Sequence, residues 1–118
     1  VFGVAFKKGT SDIRESRVID LIFELLKENS KVSVMDPFAI PEVRKLFGNK
    51  VLYPDTIDEA LSDGDLCILG LDYEEFLPIS GKLQLMNSPM ILDLCDHQIQ
   101  RNLEDMKMDN VVYKGILW

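Results

Sequence analysis

Hydrophobic and polar residues alternate along the chain in blocks that predict strands followed by helices. Residues 1–6, VFGVAF, form an apolar run rich in β-branched and aromatic residues. Such a run predicts a buried strand, and the glycine inside it indicates close approach by another backbone. Between residues 18 and 26, apolar residues recur at helical spacing with charged residues on the other side. This spacing predicts an amphipathic helix, which Asn29 and Ser30 end.

Short apolar runs and helical patterns repeat through the rest of the chain. Further strands are predicted at residues 31–35, 51–53, 66–71, 90–94 and 111–113, and helices at residues 41–47, 56–61, 82–86 and 98–106, with one helical turn at 74–76. Pro41 suits the first turn of its helix, and Thr56 with Glu59 forms a capping box. Strands and helices that alternate in this way predict a parallel sheet with helices on both faces, a three-layer α/β sandwich of about six strands.

The expected strand order is 3-2-1-4-5-6, as in open doubly wound sheets. In that order the winding reverses between the first and fourth strands, and ligands of such sheets bind there, at the carboxyl ends of the strands. The loops after the first, fourth and fifth strands are therefore expected to form a crevice. This places Lys7 near the ends of the fourth and fifth strands, at Leu71 and Leu94.

The loop after the first strand is the strongest candidate for ligand binding. Lys7 and Lys8 follow the strand, Gly9 favours a turn, and residues 10–12, TSD, are expected to cap the next helix. Four of the 13 Lys and Arg residues fall between residues 7 and 17, against two acidic residues, in a chain of net charge −7. A cationic loop in an acidic protein suits one small anion and argues against nucleic acid as a partner.

Composition narrows the class of protein further. A chain of 118 residues is expected to fold as one domain. The apolar runs are all shorter than the ~20 residues of a membrane helix, which argues against a membrane partner. Cys67 and Cys95 lie in or beside apolar runs, so we expect free thiols, a reducing compartment and the cytoplasm. Because the chain starts without Met and inside a predicted strand, we expect a fragment of a longer protein.

The fingerprint of dinucleotide-binding domains is missing from the first loop. That fingerprint, G-x-G-x-x-G, lies between the first strand and helix, where this chain has only Gly3 and Gly9 with bulky residues between them. Asp36 does occupy the place of the carboxylate that binds ribose in such domains. Since Pro37 follows it, Asp36 also fits an ordinary strand end. The sequence thus predicts a Rossmann-like sheet that lacks the usual cofactor loop.

Residues 3–16, GVAFKKGTSDIRES, resemble the signature G-x-A-F-K-x-x-T-x-D-x-R-E-S from the C-terminal domain of the UDP-glucose/GDP-mannose dehydrogenase family. Every defined position of the signature matches. The resemblance continues at Leu21 and Ile22, at residues 34–37 (VMDP), at Asp65, Leu66 and Ile68, and at Glu75 and Phe76, and it weakens after about residue 93. Nearly the whole chain is therefore similar to this domain.

The resemblance implies part of an oxidoreductase. Members of the family oxidise the C6 alcohol of a nucleotide-activated sugar to a carboxylate in two rounds of NAD reduction, through a covalent intermediate on a cysteine. Their NAD-binding domain and that cysteine lie upstream of the domain that this chain resembles, and the proteins are usually homodimers. Residues 1–118 are therefore expected to supply the nucleotide-sugar site and to be inactive alone. UDP-glucose is the favoured substrate, with UDP-N-acetylmannosamine and GDP-mannose left open.

Three residues carry over from the signature as candidate site residues. Phe6 and Lys7 match the family pair that contacts the sugar nucleotide, with the Lys7 ammonium against the diphosphate or sugar. Arg14 matches the arginine that reaches NAD, where a guanidinium can hold phosphate through two hydrogen bonds. Each has an alternative: a solvated Lys7, a core Phe6, and an Arg14 paired with Asp12 or Glu15. Neither a catalytic residue nor a set of metal ligands is predicted.

The chain departs from the family after the fifth strand. The family commonly has Asp-x-Arg there, with the arginine on the substrate, whereas here Asp93 is followed at that spacing by Cys95. Arg101 on the next helix is a candidate replacement, with a solvated position as the alternative. His97 is expected to be a lone exposed histidine rather than an acid/base group. Both cysteines are expected to be structural thiols, and Arg17 is expected on the surface.

Two other classes of protein stay open. A degenerate relative that has lost substrate binding would persist as an interaction or dimerisation module, with Cys95 as the trace of that loss. An unrelated flavodoxin-like or receiver-like α/β domain would fit the acidity and an Asp36 that follows a strand. Receiver chemistry needs further acids at the start of the first strand, a position that this chain does not cover.

Overall fold

Short strands alternate with helices along the chain, as the hydrophobic pattern predicts. The computed structural model describes residues 1–106 and 110–115. The described strands are β1 (Cys67–Leu69), β2 (Met90–Asp93) and β3 (Val112–Gly115), and the described α-helices are α1 (Arg17–Lys27), α2 (Ile40–Phe47), α3 (Ile57–Leu61) and α4 (Ile99–Asp105). The described residues also form 3₁₀ helices at Gly48–Lys50, Glu74–Gly81 and Leu83–Leu85. None of the described helices is long and apolar enough to cross a bilayer.

The three strands form one parallel sheet in the order β1-β2-β3. Isolated parallel bridges continue the pairing beyond β1 and join Leu69 to Phe2, Phe2 to Met35, and Ser33 to Leu52. The six predicted segments therefore lie side by side in the expected order. However, the predicted six-stranded sheet is present in the described residues only as three regular strands and three single bridges.

Local backbone geometry explains why the first predicted strand is reduced to one bridging residue, Phe2. The Phe2 amide donates to the Ile68 carbonyl at 2.8 Å, as expected for a strand beside β1. Gly3 then has a φ of +87°, which takes the chain out of the extended conformation. The next amide, of Val4, donates to the Asp36 carboxylate at 2.9 Å instead of to a neighbouring strand.

Gly3 permits a close approach between the first predicted strand (residues 1–6, here called the first segment) and the residues that follow β1. A Cβ atom at Gly3 would lie 2.7 Å from the Leu71 Cβ and 2.8 Å from the Leu71 nitrogen. A Cβ atom at Gly70 would lie 2.1 Å from the Gly3 carbonyl oxygen. The predicted close approach of another backbone at Gly3 is thus confirmed, and both glycines are needed for it.

The helices pack against the sheet through two clusters of buried hydrophobic residues. Residues of α1 and α2 pack in the cluster that contains Val4 and Ile22, whereas α3, α4 and the two later 3₁₀ helices contribute to the cluster that contains Phe2 and Ile99. The partly buried Leu71 packs against both clusters. This arrangement agrees with an α/β fold in which helices lie on both sides of a parallel sheet.

The start of α1 differs from the prediction. Its N-cap is Ser16 rather than a residue of the TSD segment 10–12. The Ser16 hydroxyl accepts from a backbone amide of the first turn at 3.4 Å and donates to the Val4 carbonyl at 2.6 Å.

The predicted starts of α2 and α3 are confirmed, since Pro41 lies in the first turn of α2 and Thr56 Oγ1 accepts from the Glu59 amide at 3.2 Å. The Glu59 carboxylate accepts from the Asp55 amide instead of completing the capping box at Thr56. The predicted helix at residues 82–86 is the 3₁₀ helix Leu83–Leu85.

A methyl group at Gly3 tests the close approach. Gly3→Ala should lower the free energy of unfolding by at least about 2 kcal/mol, because it adds strain at a positive φ to a clash with Leu71. Urea unfolding followed by circular dichroism measures this change. Gly81→Ala is the control, since a Cβ atom there has no neighbour within 4 Å, and it should change stability by no more than about 0.5 kcal/mol. Equal effects of the two substitutions would contradict the role of Gly3.

Candidate functional site

The loop between the first segment and the N-cap of α1, residues 7–15, projects its basic side chains into solvent. The loop is closed at its base, where the Phe6 amide donates to the Asp12 carbonyl at 2.9 Å. Lys7 and Lys8 are exposed, and neither forms an ion pair within the described part of the chain. Phe6 is 57% exposed, so it is a surface residue rather than the core residue that its apolar run allowed. The loop thus presents two ammonium groups and one phenyl ring.

Arg14 lies in the same loop and is paired with Asp12. Its Nε donates to one Asp12 carboxylate oxygen and its Nη2 to the other, both at 2.9 Å. The hydrogen bonds with Arg14 lower the pKa of Asp12 to about 2. The alternative of an ion pair with Asp12 is therefore present, while the Arg14 side chain stays 87% exposed. Arg17, at the start of α1, is exposed as expected.

Tyr73, which follows β1, is the residue that ties this loop to the sheet. Its hydroxyl oxygen accepts from the Gly9 amide at 2.7 Å. Its ring packs edge-on against Phe76, with 5.7 Å between centroids, and the Lys8 ammonium lies 5.8 Å from the ring centre. Burial raises the pKa of Tyr73, so the phenol stays protonated at neutral pH. Sequence reasoning did not single out Tyr73, although an aromatic residue directly after a buried strand was a signal.

Asp93, at the end of β2, organises the loop after that strand. The side chain is fully buried, and its two oxygens accept from the Cys95 amide at 2.9 Å and the His97 amide at 2.8 Å. The Tyr113 hydroxyl donates to the same carboxylate. A buried carboxylate needs such donors, because an unpaired charge in the interior is costly. Asp93 therefore holds the backbone of the loop where the family pattern has its arginine.

His97 is buried, so the prediction of an exposed histidine is wrong. It is only 1% exposed. Its Nδ1 accepts from the Ile99 amide at 3.2 Å, and its Nε2 lies 3.0 Å from the Tyr73 carbonyl oxygen, to which it can donate. These partners assign the neutral tautomer with the proton on Nε2. The ring joins the loop after β2 to the loop after β1.

Both cysteines have the environment of structural thiols. Burial raises the pKa of Cys67 to about 12. Cys95 is half-buried, and burial together with the neighbouring Asp93 carboxylate raises its pKa above the ordinary range. The Cys95 thiol lies 3.4 Å from an Asp93 oxygen and donates to it. The thiolate is the reactive form of cysteine, and a raised pKa leaves little thiolate at neutral pH. Neither thiol is therefore activated as a nucleophile.

Asp36 acts as a cap and not as a free ribose-binding carboxylate. It is buried, and its oxygens accept from the amides of Val4 at 2.9 Å and of Phe38 and Ala39, both at 2.8 Å. The interpretation of Asp36 as an ordinary strand end is the one that the geometry favours. Asp93 likewise accepts hydrogen bonds from backbone amides at the end of β2.

Arg101 does not join these loops in any described contact. It lies on α4 and is exposed, as the solvated alternative supposes. The described ion pairs do not include it. The position of Cys95 is therefore left without a cation from this helix.

The described residues also form a cavity that does not include the basic loop. It has a volume of about 360 Å³ and is lined by residues that include Asp36, Tyr53 and Phe76. The Arg44 guanidinium lies over the Tyr53 ring, 4.1 Å from its centre. Lys7 is not among the residues that line this cavity.

Comparisons with known proteins agree with the signature. Residues 1–100 match the model of the UDP-glucose/GDP-mannose dehydrogenase family, UDP binding domain. A UDP-glucose 6-dehydrogenase of Haloferax volcanii is 36% identical over 93 residues, which are 79% of this chain and 21% of that protein. A UDP-glucose 6-dehydrogenase of Bacillus subtilis is 31% identical over 121 residues, which cover 98% of this chain and 25% of that protein.

The fold is also found in a solved structure. A UDP-glucose dehydrogenase from the archaeon Pyrobaculum islandicum superposes with a TM-score of 0.70 at 21% identity, over 99% of this chain and 24% of that one. At this identity the similarity establishes the fold alone. The chain spans about a quarter of the length of these relatives.

The ion pair of Arg14 can be tested by titration. NMR of the side-chain carboxyl carbons should give Asp12 a pKa of about 2, and Arg14→Ala should move it toward the ordinary value of 3.8. Since the pKa is lowered in the folded state, the stability from this pair is present above about pH 4 and is lost as the pH falls toward about 2. Arg17→Ala, the control, should leave the titration unchanged. An Asp12 that titrates near 3.8 in the unsubstituted chain would contradict the pair.

The thiols can be tested by chemical modification. At mildly alkaline pH, Cys67 and Cys95 of the folded protein should react with Ellman's reagent at least about 100-fold more slowly than in guanidinium chloride, because their raised pKa leaves little thiolate. Mass spectrometry of the labelled peptides separates the two sites. Rapid labelling of Cys95 in the folded protein would contradict its assignment as a structural thiol.

Proposed function

The chain belongs to the UDP-glucose/GDP-mannose dehydrogenase family, and from this premise we propose that it is the C-terminal substrate-binding domain of an NAD-dependent nucleotide-sugar 6-dehydrogenase that resembles UDP-glucose 6-dehydrogenase. The complete enzyme would oxidise the C6 alcohol of the sugar to a carboxylate. The observation that carries the proposal is the exposed Lys7, which lies on a closed loop within a fully matched family signature.

In this proposal, residues of the first loop bind the substrate. The Lys7 ammonium holds the diphosphate or the sugar by a charge-assisted hydrogen bond, and Phe6 contacts the nucleotide sugar beside it. Lys8 adds a second positive charge to the loop, which favours a dianionic ligand in a protein of net charge −7. The domain orients the substrate and supplies no nucleophile, since Cys67 and Cys95 are both held as thiols.

Arg14 is the residue that we propose to contact NAD. NAD supplies the hydride acceptor of the reaction. The Arg14 guanidinium is 87% exposed, and Asp12 takes one donor each from its Nε and Nη2, so the Nη1 edge is the part that would donate to an anionic group of the cofactor. Among the described residues, Arg14 is the one that we propose to contact NAD. We propose that the rest of the cofactor site and the cysteine nucleophile lie upstream, and that residues 1–118 alone are inactive.

The same proposal covers the setting of the enzyme. We expect a homodimer in the cytoplasm, with UDP-glucose as the substrate and without nucleic acid or membrane as a partner. The acidic charge of the chain supports the expectation on nucleic acid.

A second candidate is a non-catalytic relative that serves as an interaction or dimerisation module. Cys95 favours it, because this residue stands where the family commonly has a substrate-binding arginine and its thiol is directed to Asp93. A longer coding sequence separates the two candidates. An upstream G-x-G-x-x-G and a cysteine nucleophile are expected for the enzyme and not for the module.

Titration calorimetry with UDP, GDP and NAD tests the leading proposal. We expect saturable binding of UDP, and we expect Lys7→Ala to weaken the affinity for UDP by tenfold or more. A tenfold change in affinity corresponds to about 1.4 kcal/mol of binding free energy. Lys50→Ala is the matched control, because Lys50 is an exposed lysine in the 3₁₀ helix Gly48–Lys50, and it should bind UDP as the unsubstituted chain does. Equal affinities of the two variants would contradict the role of Lys7.

A further inference from the structure

Three loops at the carboxyl ends of the strands are joined by hydrogen bonds that meet at Tyr73. Its hydroxyl oxygen accepts from the Gly9 amide at 2.7 Å, in the loop after the first segment. Its carbonyl oxygen lies 3.0 Å from His97 Nε2, in the loop after β2. Tyr73 itself follows β1, so one residue connects all three loops of the predicted crevice.

The partners of Tyr73 on the β2 side are fixed in turn. The His97 amide donates to Asp93 Oδ2 at 2.8 Å, and the ring Nδ1 accepts from Ile99 at 3.2 Å. The ring also lies 3.5 Å from an Asp72 carboxylate oxygen. Because His97 and Asp93 are both buried, Tyr73 is anchored to the rigid end of the sheet, whereas its hydroxyl reaches a loop that is exposed.

The Tyr73 ring is held without help from its hydroxyl. It packs against Phe76 at an interplanar angle of 90° and against Phe38, whose ring centroid is 6.0 Å away. Removal of the hydroxyl would thus leave the ring in place and release only the Gly9 amide. The contact is also separate from the closure at the base of the loop, where Phe6 and Asp12 are joined.

We propose that Tyr73 is a positioning residue, whose hydroxyl holds the tip of the Lys7 loop in the geometry that binds the diphosphate. This inference rests on the proposed function of Lys7. Lys7 and Lys8 lie between the two fixed points of the loop, at Phe6 and Gly9. A loop that is ordered before binding loses less conformational entropy when the ligand arrives, and Gly9, at a φ of +80°, permits the turn that presents its amide to Tyr73.

Tyr73→Phe tests the proposal in two measurements on the same chain. Amide exchange by NMR should show the Gly9 proton exchanging about tenfold faster or more, since it loses its acceptor. Calorimetry with UDP should show affinity weakened about fivefold. In the Lys7→Ala background the same substitution should weaken affinity by less than about twofold, because Tyr73 acts through Lys7. A purely structural role would not depend on Lys7.

Tyr53→Phe is the matched control. The Tyr53 hydroxyl also makes one hydrogen bond to the backbone, since it donates to the Gly48 carbonyl at 2.7 Å. Neither residue belongs to the Lys7 loop. Tyr53→Phe should change neither Gly9 exchange nor UDP affinity. The urea midpoint of each variant reports whether the fold is kept.

The two measurements separate failure of this inference from failure of the proposed function. If the unsubstituted chain binds UDP and Tyr73→Phe binds it equally well, the positioning role is overturned. If the chain binds no UDP, the proposed function of the chain fails. Gly9 exchange then decides whether Tyr73 holds the loop: equal rates in Tyr73→Phe and the unsubstituted chain overturn that role too.

Discussion

The contact between Gly3 and the residues after β1 is the constraint on which the rest of the structure depends. The first segment lies between two neighbours, and Gly3 must lie so close to Gly70 and Leu71 that a side chain on either glycine meets backbone. Once this contact is made, the chain leaves the sheet immediately after it. The basic loop therefore starts beside the end of β1 instead of continuing as a strand.

Buried carboxylates then hold the loops that leave this edge of the sheet. Asp36 accepts three backbone amides, including that of Val4 in the first segment. Asp93 accepts two amides and the Tyr113 hydroxyl in the same manner. In sequence Asp36 occupies the place of a ribose-binding carboxylate, but the oxygens of both acids already accept hydrogen bonds from the protein. The groups left free for a ligand are exposed ones, chiefly Lys7 with its neighbour Lys8.

The sequence predicted what depends on local pattern and left out what depends on distant contacts. Helical spacing located α1, and Pro41 and Thr56 located the starts of α2 and α3, because each signal lies within a few residues of the element. Tyr73 could not be assigned in this way, since its partner Gly9 is 64 residues away. His97 follows Asp96 in a predicted loop, which favours an exposed position, whereas in the structure it is buried and its Nε2 lies 3.0 Å from the carbonyl oxygen of Tyr73, 24 residues away. The signature at residues 3–16 identified Lys7 and Arg14 as candidates, but not the contacts that hold their loop.

The central claim is that UDP binds at the loop of Lys7, at the edge where the first segment, β1 and β2 end. Mapping of backbone amide shifts by NMR during a titration with UDP tests it most directly. Saturable changes at residues 6–9, together with Tyr73 and Cys95, are the predicted result. Changes confined to the cavity between Arg44 and Phe76, or none at any UDP concentration, would contradict the claim.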